Sequence, residues 1–135
     1  MIQPRLIFSL RSTNEYVDGR GYGIDGIRAV PVDTVALSFE GSGVGDVELL
    51  QLPPLPALRC LDLDSTKVTD KSLATLSQFA ALEELWLECT SISNAGLKAL
   101  HSCKSLRFVS LAYTEVTAAS IASLKAAIPG IEVSA

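Results

Sequence analysis

Apolar residues along this chain fall into columns that recur every 24 positions. Residues 58–81 (LRCLDLDSTKVTDKSLATLSQFAA), 82–105 (LEELWLECTSISNAGLKALHSCKS) and 106–129 (LRFVSLAYTEVTAASIASLKAAIP) align without insertion. Leu58, Leu82 and Leu106 coincide, as do Leu61, Leu85 and Val109; Leu63, Leu87 and Leu111; Val68, Ile92 and Val116; Leu73, Leu97 and Ile121; and Leu76, Leu100 and Leu124. A weaker copy begins at Thr34, with Leu37, Phe39, Val44, Leu49 and Leu52 in the same columns. A fixed period of this length marks a stacked-repeat architecture, in which each unit buries its apolar face against its neighbours.

Each copy changes period part-way through. In LRCLDL the alternation sends Leu61 and Leu63 inward and Cys60 and Asp62 outward, which predicts a strand. Stacked copies then form a parallel sheet whose strands return through right-handed crossovers. Thr66, Thr90 and Thr114 sit where the chain leaves the sheet. A hydroxyl there can donate to one backbone group and accept from the next repeat, so a structural threonine ladder is expected. Thr69, Ser93 and Thr117 occupy helix N-cap positions, and Asp70 in the first turn suits the helix dipole. Leu73 and Leu76 bury one face of a helix of about two turns. In the first copy Pro53, Pro54 and Pro56 cut the helix short and predict an extended connection. Leu55, Phe79 and Cys103 share an inner column, which makes Cys103 a small core residue. Pro129-Gly130 stops the last helix, and residues 131–135 extend as a short closing edge strand.

The pattern L-x-x-L-x-L-x-x-T-x-V/I in all three strong copies resembles the leucine-rich repeat family. The tail T-D/N-x-x-L-x-x-L is similar to its ribonuclease-inhibitor-like and bacterial short-repeat subgroups. The resemblance covers residues 34–135 and departs in one column, where Ser42, Thr66, Thr90 and Thr114 stand in place of the usual Asn. It implies an α/β solenoid of four repeats plus a closing strand, with a parallel concave sheet and short convex helices. It leaves function open, because such scaffolds serve unrelated roles.

Composition narrows the field. The 135 residues, 48% of them hydrophobic, suffice for one domain with a continuous core. A net charge of -4 disfavours nucleic acid or an anionic membrane as the main partner. Four arginines (Arg5, Arg11, Arg20, Arg28) balance four acids within residues 1–33, so the repeats hold the whole acidic excess. No run approaches the roughly 18 apolar residues of a membrane span, and the start lacks a secretory cleavage pattern. Three cysteines without C-x-x-C point to a reducing compartment, the cytoplasm.

Residues 1–33 fall outside the 24-residue pattern and are read as an N-terminal β cap, a hairpin of Leu6–Leu10 and Tyr16–Ile24 covering the first repeat. Within them Gly21-Tyr22-Gly23-Ile24-Asp25-Gly26 matches G-x-G-x-x-G. A nucleotide site would need a buried strand before it and a helix opening at the last glycine. Pro31 leaves no room for that helix, so a glycine-rich turn is expected.

Catalysis finds little support. The single histidine, His101, ends a repeat helix among solvent-facing residue types, and no Cys/His spacing suggests zinc. No enzyme and no cofactor are expected. The outward strand columns say more. They collect Glu40, Asp62, Asp64, Glu84 and Glu88 around the sole tryptophan, Trp86, with Phe108 and Tyr113 one strand on. Like charges on neighbouring strands repel, aromatic residues favour binding hot spots, and an acidic rim steers a basic partner. The expectation is a monomeric protein-interaction module whose concave face binds a basic protein partner, of inhibitor, immunity or adaptor type by family analogy. Acids that merely keep the face soluble, with Trp86 and Phe108 packed on the N-terminal segment or on each other, are the structural alternative. Ligand binding or enzymatic activity through residues 19–26, or self-association through the last strand, are the functional ones.

Overall fold

A computed structural model describes residues 17–18 and 27–135 of the chain. Six strands, β1 (Val17–Asp18), β2 (Ala36–Ser38), β3 (Cys60–Asp62), β4 (Glu84–Trp86), β5 (Phe108–Ser110) and β6 (Glu132–Ser134), form one parallel sheet in chain order. Leu37 pairs with Leu61, Leu61 with Leu85, Leu85 with Val109 and Val109 with Val133. The sequence period is therefore the strand register itself. Among the described residues four helices lie between the strands: α1 (Asp46–Leu49), α2 (Asp70–Leu73), α3 (Asn94–Ala99) and α4 (Ala118–Ala127). Short 3-10 turns at Leu76–Gln78 and Leu100–Ser102 extend α2 and α3. After α1 no helix follows before β3, as Pro53, Pro54 and Pro56 require.

Leu37, Leu61, Leu85 and Val109 from the strands meet Leu73, Leu76, Leu97, Leu100 and Leu124 from the helical side in one continuous core. Each such side chain contributes about 1.5–3 kcal/mol on burial. Leu55, Phe79 and Cys103 line the same core, and burial pushes the Cys103 thiol up. In the last repeat Val116, Ile121 and Val133 are only partly buried, whereas Val68, Ile92, Leu73 and Leu97 in the matching upstream positions are sealed.

The repeats are stitched by a ladder that sequence reading did not anticipate. The residue opening each helix accepts hydrogen bonds from the N-cap of the next. Asp46 Oδ1 accepts the Thr69 backbone N–H at 2.8 Å and Oδ2 the Thr69 hydroxyl, and Ser72 donates to the same carboxylate. Asp70 takes the Ser93 N–H at 2.8 Å and its hydroxyl. Asn94 Oδ1 takes the Thr117 N–H at 2.9 Å. Dipole compensation alone is thus an incomplete account of Asp70.

β1 runs parallel to β2, with Val17 opposite Leu37 and Asp18 opposite Ser38, 20 residues apart rather than 24. The 3-10 turn Ile27–Ala29 follows on the helical side, and Ile27 and Val30 enter the core. The sheet is thus continuous across position 34. The Leu6–Leu10 arm of the expected hairpin lies outside the described residues. So does the glycine-rich stretch 19–26; the helical turn after it is three residues long, and Pro31 follows.

Candidate functional site

Where each strand ends, the chain swings away from the sheet through a left-handed residue. Gly41, Ser65, Cys89 and Tyr113 have φ of 71, 55, 56 and 59°. Three donate their N–H to the next strand: Gly41 to Asp64 O at 3.0 Å, Ser65 to Glu88 O at 2.8 Å and Cys89 to Ala112 O at 3.0 Å. The threonines after them work locally. Thr66, Thr90 and Thr114 donate to Leu63, Leu87 and Leu111 carbonyls at 2.7, 2.6 and 2.7 Å. The expected hydroxyl link between repeats is made by backbone instead.

Register assembles the predicted face. Ala36, Cys60, Glu84, Phe108 and Glu132 stand in one row, and Ser38, Asp62, Trp86, Ser110 and Ser134 in the next. Asp62, Glu84, Trp86 and Phe108 therefore point to the same side of the sheet, opposite the core. Their exposure corrects the sequence expectation. Trp86 is 8% exposed, Phe108 1%, Glu84 0%, Asp62 2% and Asp64 5%. Of the eight candidate residues, only Glu40 and Tyr113 are exposed, Tyr113 at 84%, with Glu88 half-buried.

The buried floor has its own packing. Trp86 and Phe108 rings lie 5.0 Å apart at 50°, a favourable tilted arrangement, and with Ala36 and Cys60 they form a second apolar cluster. The Trp86 indole N–H donates to the Glu84 carboxylate. Asp62 Oδ1 accepts the Asp64 N–H at 3.0 Å, and Asp64 Oδ1 accepts the Glu88 N–H at 2.7 Å. Ser110 donates its hydroxyl to Glu88. The acids are thus built into the sheet by hydrogen bonds, as buried polar groups require. Sequence reading found the column but could not see these bonds, two of which cross between neighbouring repeats.

Arg59 forms a two-pronged pair with Glu83, at 3.1 and 3.2 Å, and hydrogen bonding by Glu83 raises its guanidinium pKa. Its partner is thus the neighbouring-column acid rather than one of the floor. His101 sits half-buried in the turn after α3. Among the described residues no group of three or more His, Cys, Asp or Glu is placed to hold a metal ion. No helix among them is long and apolar enough to cross a membrane.

No protein-family model matches the sequence, and no curated protein does. Among solved structures, a leucine-rich-repeat protein of Leptospira interrogans matches with a TM-score of 0.57 and 19% identity. The alignment covers 78% of this chain and 28% of that one, so this chain spans little more than a quarter of its length. At that identity the likeness shows the fold alone, a parallel sheet alternating with short helices as in leucine-rich-repeat solenoids.

Proposed function

We propose that this chain is a non-catalytic protein-interaction module that docks a basic protein partner on the face of the sheet opposite the core. The observation that supports the reading is the register, which pairs Asp62 with Trp86 and Glu84 with Phe108 on neighbouring strands. Glu40, Glu88 and Tyr113 form the accessible rim; the others form a covered floor. Acids on the rim raise the encounter rate with a cationic surface, and aromatic groups supply contact area at small entropic cost. Stacked-repeat scaffolds typically bind proteins on such extended surfaces. In this reading the module is a cytoplasmic monomer, and nucleic acid and membrane are not its partners. The nucleotide alternative falls on residues 19–26 and is disfavoured by the three-residue helical turn that follows them.

The test is affinity capture from native extract with the wild-type chain and with Glu40→Lys/Glu88→Lys, read by quantitative mass spectrometry. A protein enriched by the wild type and lost from the variant, with unchanged circular dichroism, is expected. Identical captures by both chains would remove this face from the account.

A further inference from the structure

A strand at the edge of a sheet presents a row of backbone groups ready to pair with another chain. β6 is the last strand of this sheet, and among the described residues none pairs with its outer side. In the upstream repeats the same groups bond to the next strand. The Arg59, Glu83 and Arg107 carbonyls accept from Glu84, Phe108 and Glu132, and the Leu63, Leu87 and Leu111 N–H groups donate to Trp86, Ser110 and Ser134. Ile131 and Ala135 hold the matching positions around β6, with Val133 between them. The Glu132 N–H and Ser134 carbonyl bond back to Arg107 and Leu111, so by the alternation of a parallel ladder the Val133 N–H and carbonyl point outward. The side chains beneath are open as well, since Val116, Ile121 and Val133 are only partly buried.

Another repeat of the same kind does not fit this end. Its helix N-cap needs the acceptor that Asp46, Asp70 and Asn94 offer to Thr69, Ser93 and Thr117, and Ala118 holds that position. A second copy fits poorly too. Glu115 and Glu132 are both exposed on the last repeat, whereas Lys125 sits on α4, so two copies meeting here bring like charges together. An extended segment of opposite charge meets neither obstacle.

We propose that the outer edge of β6 takes an extended segment of a protein partner, with basic and apolar residues alternating, as a further strand; this rests on the reading of the chain as a protein-interaction module. Main-chain bonds to Ile131, Val133 and Ala135 supply affinity, as in other strand additions. Side chains of the added strand alternate between its two faces. Apolar ones fall beside Val133 and close the core over Val116 and Ile121. A Lys or Arg falls beside Glu132, an opposite-charge pairing that neighbouring strands favour. The edge is continuous with the proposed docking side, because Glu132 shares a row with Glu84 and Phe108, and Ser134 with Trp86 and Ser110.

The probe is a fluorescein-labelled peptide, Ile-Lys-Val-Lys-Leu, with a twin carrying Glu for both Lys, read by anisotropy against the full chain. The wild type is expected to bind the lysine peptide about tenfold more tightly than the twin, and Glu132→Lys should reverse the preference. Val133→Pro should abolish binding and keep the circular dichroism, because proline there removes the outward N–H and no bond to β5. Equal binding of the two peptides, no binding of either, or binding that survives Val133→Pro in a folded chain would overturn the proposal. Should Val133→Pro fail to fold, the preference of Glu132→Lys decides alone. Sedimentation at several concentrations reads the rival occupant: a wild-type dimer that the peptide dissociates assigns the edge to a second copy and also overturns the proposal. The capture experiment turns on Glu40 and Glu88, which lie at the ends of other strands, so failure of the peptide leaves the docking face to be judged separately.

Discussion

Ser65, Cys89 and Tyr113 hold a backbone conformation that side chains with a Cβ disfavour by about 1–2 kcal/mol. Gly41 occupies the same turn without that cost. Cys89→Gly is therefore expected to stabilise the chain by about 1 kcal/mol, the relief being partly offset by the freer unfolded chain. Gly41→Ala should cost about 1 kcal/mol through backbone alone, since an added Cβ there meets nothing within 4 Å. Thermal melts of the two variants check the opposite signs. The glycine in this column was visible in the sequence, but nothing about a serine, cysteine or tyrosine side chain announces a left-handed backbone. Trp86 teaches a similar lesson. Alternation along the strand showed which side it faces, but strand periodicity carries no information on how deeply that side is buried.

Between elements, the ladder of helix-opening Asp46, Asp70 and Asn94 couples successive repeats. Burial raises the Asp46 carboxyl, but hydrogen bonds from Ser72 and Thr69 outweigh it and hold the group below its ordinary value. A carboxylate with a lowered folded pKa contributes stability above its unfolded value of about 4, and that contribution is lost as pH falls through the folded value. Asp46→Ala should cost about 1–2 kcal/mol near neutral pH. It should also flatten the acid limb of the stability profile in denaturant titrations below pH 4. Asp46→Asn should cost less, because Asn94 already performs the same task with one oxygen.

Gly96 tests the geometry of the next rung. A Cβ there would stand 2.2 Å from Asp70 Oδ1, so Gly96→Ala gains helix propensity but disrupts the bonds from Asp70 to Ser93. A net loss of about 1–2 kcal/mol is expected. Gly96→Ser should lose less, since Ser72 in the equivalent position donates to Asp46. A chemical-denaturation midpoint for Gly96→Ala at or above the wild type would contradict the ladder. The Thr/Ser-Asp/Asn pairs were legible as helix starts, but their bonding across 23 residues follows from stacking and could not be read from one copy.

For the whole molecule, the 24-residue period proved to be the strand register, so the sheet from β2 to β6 and its core were legible almost residue by residue. The pairing of β1 with β2 lies outside that period, at an offset of 20 residues rather than 24. The proposed function rests on the same stacking, which sets Asp62 beside Trp86 and Glu84 beside Phe108 on neighbouring strands. Amide hydrogen exchange of the wild-type chain, alone and with its captured partner, tests that claim most directly. Protection is expected in four separate segments, 38–42, 62–65, 86–89 and 110–113, one per repeat along the same side of the sheet. Protection confined to α1, α2, α3 and α4 would mean that the partner binds the opposite surface and that this side of the sheet is not the docking site.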